Sequence, residues 1–89
     1  MIYDVKFSER ALKALKRMDK YQAKIILAWI NKNLIGCSDP RQHGKALLGD
    51  KKGYWRYRVG SYRIIAEIDD YRVRINIINT AHRSEVYDK

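Results

Sequence analysis

Three arginines flank a Gly-Ser pair in the segment GYWRYRVGSYRII, and their type and spacing suit the chemistry of phosphate groups. Arg56 and Arg58 precede the pair, and Arg63 follows it. A guanidinium group is planar, stays charged and can bind two oxygens of one phosphate. Fixed donors of this kind stabilise the negative charge that develops on the oxygens during phosphodiester cleavage. The segment therefore predicts a site that binds a phosphodiester.

The Gly-Ser pair predicts a two-residue hairpin turn between strands at 54–59 and 62–68. A turn of this length sets the register, so Arg58 is predicted to lie opposite Arg63, with Arg56 on the same face. Like charges directly opposite each other cost up to roughly 1 kcal/mol. A bound anion would offset that repulsion, which favours an anion-binding role for the pair.

A second tight turn is predicted at the acidic pair 69–70, leading to a strand at 71–78. The same pairing rule then places Arg63 opposite Asn76 and leaves one face of the sheet apolar. The residues predicted on the other face are Arg56, Arg58, Arg63, Arg72, Arg74, Glu67 and Asn76. With one acid in that set, an anion-binding face is favoured over an ordinary solvated face.

The overall charge supports a polyanionic partner. The chain has 19 Lys and Arg against 10 Asp and Glu, a formal net charge of +9. This surplus favours nucleic acid, an acidic protein or an anionic membrane surface as the partner. The secondary RNA-binding candidates are Lys45, Lys51, Lys52, Tyr54 and Arg74. Lys51 and Lys52 are otherwise plain loop residues, and Tyr54 either stacks on a base or marks the sheet edge.

Two helices are predicted before the hairpin. Alternation over 2–7 predicts a short strand, and Ser8 is a plausible N-cap for the first helix. That helix has an apolar stripe at Ala11, Leu12, Leu15 and Met18. The second, at 20–34, has Tyr21, Ile25, Ala28 and Trp29 in phase, widened by Ile26, Ile30 and Leu34. Gly36 is predicted to end it.

The element order is β-α-α-β-β-β, which predicts an α+β fold with a helical pair packed on a three-stranded antiparallel meander. One domain spanning 1–89 is expected from the length. The single cysteine, Cys37, and the lack of zinc-ligand spacing predict no metal site and a reducing, cytoplasmic location. The longest apolar run, IILAWI, is too short to span a bilayer.

The hairpin WRYRVGSYR, the opening FSERALKALKRMD and the terminal HRSEVY together resemble the RelE-type toxins of bacterial toxin–antitoxin systems. The resemblance covers essentially the whole chain. It implies a RelE-like fold and a ribonuclease that inhibits translation by cutting mRNA in the ribosomal A site, without metal or other cofactor. It also implies a neutralising RelB-like antitoxin. The implied reaction is attack of the ribose 2′-hydroxyl on the adjacent phosphate, which leaves a cyclic phosphate and a 5′-hydroxyl.

The resemblance also assigns roles to particular residues. The family's basic and tyrosine positions fall on Arg56, Arg58, Arg63, Arg83 and Tyr87. Some relatives carry lysine on the first hairpin strand; arginine is a better phosphate clamp than proton donor. The candidates for the proton steps are His82, Tyr87 and His43. His82 is either catalytic or structural, whereas His43 lies in a glycine-bounded loop and is regarded as incidental.

Two other functions remain open. ParE-type toxins share the RelE-like fold but poison DNA gyrase and do not cut RNA. A non-catalytic RNA- or DNA-binding module is a third possibility, and salt-dependent binding would not distinguish it from an enzyme. The presence of the full arginine and tyrosine set favours the ribonuclease.

Overall fold

The computed structural model describes residues 1–47 and 53–82 of the 89-residue chain. Within these ranges the helices are α1 (Glu9–Arg17) and α2 (Lys20–Asn33). The strands are β1 (Asp4–Phe7), β2 (Lys45–Ala46), β3 (Trp55–Val59), β4 (Tyr62–Asp69) and β5 (Arg74–His82). Four of the proposed site residues, Lys51, Lys52, Arg83 and Tyr87, lie outside the described residues, and their roles stay predictions.

The five strands form one mixed sheet in the order β1-β5-β4-β3-β2. β1 pairs with β5 in parallel, and all other neighbours are antiparallel. The predicted α+β class is confirmed, with the two helices followed by the antiparallel β3-β4-β5 meander. The sequence did not predict β2, which is only two residues long, or the parallel pairing of β1 with β5.

The helix boundaries follow their capping residues. Ser8 caps α1 as predicted, because its Oγ accepts a hydrogen bond from the Ala11 N–H at 3.0 Å. Asp19 caps α2 in the same way and accepts a bond at 3.2 Å from the N–H three residues later. α2 ends at Asn33, and Gly36 follows with a φ of 80°, the left-handed conformation that commonly ends a helix.

The core lies between the helices and one face of the sheet. Its most deeply buried members are Ala11, Ile26, Ile30, Leu34, Tyr57, Ile64, Ala66, Ile75 and Ile77. The predicted helix stripes were partly wrong, because Leu12, Tyr21 and Ile25 are 47%, 72% and 38% exposed. Successive helix residues point about 100° apart, so Ile26 can face the sheet while its neighbour Ile25 turns towards solvent.

The two hairpins of the meander differ in how well the sequence predicted them. Arg58 lies opposite Arg63 in the β3–β4 hairpin, as predicted. The β4–β5 register was predicted wrongly, because Arg63 lies opposite Ala81 and not Asn76.

Two local features cause this shift. The β4–β5 connection has four residues, 70–73, and not two, and Val73 adopts the left-handed φ of 55°, which is uncommon for a β-branched residue. β5 also carries an extra residue, Ile78, at a bulge between its two stretches of pairing with β4. Arg74 consequently lies opposite Asp69, at the end of the sheet away from the β3–β4 turn.

A polar network ties the β4–β5 turn to the loop before β2. Asp70 Oδ1 accepts hydrogen bonds from the Tyr3 hydroxyl at 2.6 Å and from Arg41 Nη1 at 3.0 Å. Its Oδ2 accepts a second bond from Arg41 Nη2, also at 3.0 Å. The hydrogen bonds from Arg41 and then Tyr3 lower the pKa of the Asp70 carboxyl.

Replacing this carboxylate is expected to make stability less sensitive to acid. Because the pKa of Asp70 is lower in the folded chain than in the unfolded chain, its stabilising effect is present above about pH 4. The effect disappears as the pH falls through the folded-state value. Wild type should therefore have a higher Tm than Asp70→Asn at pH 7, and the gap should close between about pH 4 and pH 2. Thermal unfolding followed by circular dichroism checks this; a gap of constant size down to pH 2 would contradict it.

Candidate functional site

Four basic side chains from three adjacent strands share the sheet face opposite the core. They are Lys45 of β2, Arg56 and Arg58 of β3, and Arg63 of β4, here called the basic cluster. Lys45 lies opposite Arg56 in the β2–β3 register, and Arg58 lies opposite Arg63 in the β3–β4 register. Residues paired across antiparallel strands share a face, with Cβ atoms roughly 4.5–5.5 Å apart.

The basic cluster concentrates positive charge. Each of its two like-charged pairs costs up to roughly 1 kcal/mol unless another charge compensates. The three ion pairs among the described residues lie elsewhere: Arg41 with Asp70, Arg72 with Asp69, and Arg74 with Asp4. Lys45, Arg56 and Arg58 form no ion pair with any carboxylate in the described ranges. The face is therefore electrostatically suited to an anion.

The basic cluster lines a cleft of about 410 Å³. Its other lining residues are Trp29 of α2 and the loop residues His43 and Gly44. The ring of His43 meets that of Trp29 edge-on, with centroids 5.7 Å apart. His43, regarded from the sequence as incidental, thus lies beside the arginines. Because β2 is so short, the sequence carried no clear signal that this loop returns to the sheet.

Hydrogen bonds hold this loop against the sheet. The indole Nε1–H of Trp55 donates to the His43 carbonyl at 2.7 Å. The buried Tyr57 hydroxyl donates to the Pro40 carbonyl, also at 2.7 Å. Both donors belong to β3, the strand that carries Arg56 and Arg58. The position of His43 relative to the basic cluster is therefore built into the fold.

Arg63 differs from the exposed position that the hairpin pattern predicted. It shares a face with Arg58, but it is only 1% exposed, whereas Arg58 is exposed. Lys45 is exposed and Arg56 is half-buried. An anion entering from solvent would meet Arg58 and Lys45 first, with Arg63 deeper in the cleft. A buried guanidinium is held in one orientation, which suits it to contribute fixed donors.

The structure separates two predicted site residues from the basic cluster. His82 lies opposite Tyr62, next to the buried pair Ile64 and Thr80, so its side chain is on the helix-facing side of the sheet. Its ring meets the ring of Tyr62 edge-on at 5.3 Å. The sequence left the face of His82 open, and the register of β5 past its bulge now places it away from the basic cluster. Its catalytic role stays a prediction.

Arg74 is distant from the basic cluster. It lies six β4 positions from the Arg63 pair, roughly 20 Å along the strand at the usual rise per residue. Its Nε donates to Asp4 Oδ1 at 3.4 Å. The predicted pairing of Arg74 with Ile65 was therefore wrong, and its contact with RNA stays a prediction. Tyr54, in contrast, immediately precedes β3 and is half-buried, in phase with Arg56 and Arg58.

The described residues contain no group of three or more His, Cys, Asp or Glu side chains that could hold a metal ion. Neither helix has the length and apolar character needed to cross a membrane.

Comparisons with known proteins show that this chain is similar to toxins of toxin–antitoxin systems. A family model described as the ParE toxin of type II toxin–antitoxin systems, parDE, matches residues 5–87. The toxin RelE of Mycobacterium tuberculosis (strain ATCC 25618 / H37Rv) is 32% identical over 85 residues, which cover 96% of this chain and 86% of that relative.

Solved structures show the same fold. A chain of the RelBE2 toxin–antitoxin complex from Mycobacterium tuberculosis superposes with a TM-score of 0.84 at 25% identity, covering 94% of each chain. A chain of the archaeal RelE-RelB complex from Pyrococcus horikoshii OT3 gives 0.69 at 26% identity, covering 93% of this chain and 97% of that chain. A free E. coli RelE variant gives 0.74 at 22% identity, covering 99% and 90%, and supports the fold alone.

Proposed function

We propose that this protein is an mRNA endoribonuclease that acts on the ribosome. The chain belongs to the ParE toxin family of type II toxin–antitoxin systems and is of the RelE type. The observation that carries this proposal is the basic cluster, in which two like-charged cross-strand pairs line one cleft. Such an arrangement is stabilised when a phosphodiester lies between the charges.

The proposed reaction needs no metal or other cofactor. The ribose 2′-oxygen loses its proton and bonds to the adjacent phosphorus, and the bond from phosphorus to the 5′-oxygen breaks. The leaving oxygen takes up a proton, which gives a cyclic phosphate and a 5′-hydroxyl. Arg56, Arg58 and Arg63 stabilise the extra negative charge on the phosphorane, and Lys45 holds a neighbouring phosphate.

His43 is the proposed proton-transfer group among the described residues. Its ring lines the cleft together with Arg56 and Arg58, and an imidazole ring has one nitrogen that can accept a proton and one that can donate it. The roles of Arg83 and Tyr87 in the same reaction rest on the family resemblance and stay proposals, as do the RNA contacts of Lys51 and Lys52. Tyr54 is retained as a residue that stacks on a base.

The proposed partners follow from the same family. Relatives of known structure are complexes of RelE with RelB, so we expect a RelB-like antitoxin to neutralise this toxin. The mRNA and the ribosomal A site complete the proposed set, and they imply a cytoplasmic location. Because the site offers few groups for proton transfer, positioning of the mRNA by the ribosome would supply much of the rate.

Incubation with programmed ribosomes tests the function directly. The expected result is cleavage of ribosome-bound mRNA, with cyclic phosphate and 5′-hydroxyl ends mapped at the A-site codon, and little cutting of free mRNA. His43→Gln keeps the backbone carbonyl that Trp55 contacts and should slow cleavage by roughly 10²-fold or more if His43 transfers a proton. Unchanged cleavage by this variant would remove His43 from the proton steps.

Gyrase inhibition is the second candidate function, because the matching family model bears the ParE name. A supercoiling assay run on the same preparation distinguishes the two. Intact mRNA on ribosomes together with blocked supercoiling would overturn the ribonuclease proposal.

A further inference from the structure

The cleft that holds the basic cluster also has an aromatic wall. Trp29 of α2 and His43 of the loop before β2 both line it, and both are half-buried. Binding of a phosphate by the arginines gives Trp29 no role. The described lining residues include no carboxylate. The cleft therefore has two chemically different parts, one cationic and one aromatic.

The edge of β3 lets these two parts meet. The ring of Trp29 packs against that of the buried Tyr57, with centroids 5.5 Å apart, so Trp29 lies on the core side of the sheet. β2 pairs with only the first two residues of β3, and within the described residues no strand pairs with this edge at 57–59. Because Trp29 and Arg58 line one cleft from opposite sides of the sheet, the cleft extends around this open edge.

The two rings of the aromatic wall form a corner. The planes of Trp29 and His43 are inclined at 72°, with centroids 5.7 Å apart. A planar group stacked on one of two nearly perpendicular rings meets the other edge-on, and both are favoured geometries for aromatic contacts. The hydrogen bond from Trp55 to the His43 carbonyl holds the loop side of the corner in place. The wall is therefore suited to a flat aromatic ligand.

A nucleotide is the ligand that matches both parts of the cleft. Its phosphate suits the basic cluster, and its base is a planar heteroaromatic ring that suits the corner. An acidic protein segment would satisfy the cations through carboxylates, which offer no aromatic ring to the corner. A positive groove combined with aromatic side chains is the usual means of binding single-stranded nucleic acid.

We propose that Trp29 and His43 form a base-stacking subsite for a nucleotide whose phosphate is held by the basic cluster. The base lies around the edge of β3, stacked on the indole ring of Trp29, while the phosphate stays on the arginine side. The subsite is separate from Tyr54, which is not among the described lining residues of the cleft. Every base has a π-face, so the subsite tolerates different bases. This inference deepens the proposed function and rests on it in assigning the cleft to RNA.

Two matched probes test the subsite on the full chain. One is a short fluorescein-labelled single-stranded RNA with 2′-O-methyl groups, which block the attacking oxygen and so prevent cleavage. The other is an abasic oligomer with the same label and the same number of phosphates. Fluorescence anisotropy should show that wild type binds the base-bearing probe roughly 5- to 150-fold more tightly, the range expected for one stacked base.

Substitution of Trp29 should remove this preference selectively. Trp29→Leu should weaken binding of the base-bearing probe by about 5-fold or more and leave binding of the abasic probe unchanged. Trp29→Phe keeps an aromatic ring and should recover part of the preference. Tyr21→Leu is the matched control, because Tyr21 is an exposed aromatic residue of the same helix outside the cleft. It should bind both probes as wild type does.

The abasic probe and the salt dependence separate stacking from a structural role of Trp29. Equal weakening of both probes by Trp29→Leu would show that Trp29 only supports the cleft through its contact with Tyr57, which overturns the proposal. Raising the salt concentration should weaken both probes in parallel, because phosphate contacts release counterions, and should leave the preference for bases unchanged. Equal affinity of wild type for the two probes, or no saturable binding of the base-bearing probe, would also overturn it.

The ribosome assay fails or succeeds independently of these measurements, since neither probe can be cleaved. Intact mRNA on ribosomes together with a preference for bases that depends on Trp29 would overturn the ribonuclease and keep the subsite. Cleavage of mRNA by a protein without that preference would overturn the subsite and keep the ribonuclease.

Discussion

Arg58→Ala is expected to reduce cleavage of ribosome-bound mRNA by about 10²- to 10³-fold, the usual effect of removing one fixed donor from a charged transition state. The same substitution is expected to increase the stability of the fold. Arg58 is exposed, lies opposite Arg63 and forms no ion pair with a described carboxylate. Removing its charge relieves up to roughly 1 kcal/mol of repulsion. A domain of this size should then gain up to several degrees in Tm.

Single-turnover cleavage and thermal unfolding of the same preparation check this prediction. Arg72→Ala is the matched control, because Arg72 is also exposed but pairs with Asp69 at the other end of β4, and it should cleave as wild type does. Arg58→Lys keeps the charge and loses the two-point geometry, so it should recover only part of the rate. Full activity in Arg58→Ala would remove Arg58 from the phosphate site.

Because Arg63 is buried, substitution of Arg58 is the better test of the phosphate site. From the hairpin pattern alone, Arg63→Ala should abolish cleavage with the fold intact. At 1% exposure, however, truncating Arg63 leaves a cavity inside the structure and should cost roughly 1–3 kcal/mol of stability. Loss of activity in that variant would therefore combine two causes, whereas the exposed Arg58 reports on the site alone.

The hairpin that carries the arginines could be predicted because its geometry is local. A two-residue loop beginning with glycine allows one register, and that register sets Arg58 opposite Arg63. The Ser8 cap and the end of α2 were predicted for the same reason, since both depend on interactions within a few residues.

The prediction of the second hairpin failed because contacts with residues distant in sequence determine the length of its turn. Asp70 is held by Tyr3 and Arg41, which belong to the N-terminus and to the loop before β2. These contacts favour a four-residue connection that includes the left-handed Val73. For the same reason the sequence did not predict that His43 lines the cleft, because nothing near it in sequence indicates that its loop returns to β3. The site was thus predictable along β3 and β4 and unpredictable where other elements contribute.

Gly44→Ala is expected to produce the largest loss of stability among the substitutions considered. Gly44 has a φ of 81°, where a side chain adds roughly 1–2 kcal/mol of strain. An added Cβ would also collide with the Arg56 carbonyl oxygen and lie 2.8 Å from Trp55 Nε1 and 3.0 Å from Tyr57 Cδ1. Such overpacking costs roughly 1–3 kcal/mol. The Tm should therefore fall by more than about 10 °C.

Gly60→Ala separates strain from collision. Gly60 also has a positive φ, 61°, but an added Cβ would meet nothing within 4 Å. This variant should lose only the strain contribution, so its Tm should fall less than that of Gly44→Ala. Equal losses in the two variants would show that the close approach of the loop to β3 contributes nothing.

The activity of Gly44→Ala then tests whether the loop belongs to the site. The added methyl must push the backbone of Gly44 away from β3, and His43 and Lys45 move with it because they are its neighbours in the chain. Arg56 and Arg58 remain on β3, paired with β4, so phosphate binding should weaken less than the rate of cleavage. Measured well below its Tm, the variant should bind single-stranded RNA nearly as wild type does but cleave ribosome-bound mRNA far more slowly. Normal cleavage would confine the catalytic groups to the β3–β4 hairpin and the residues beyond β5.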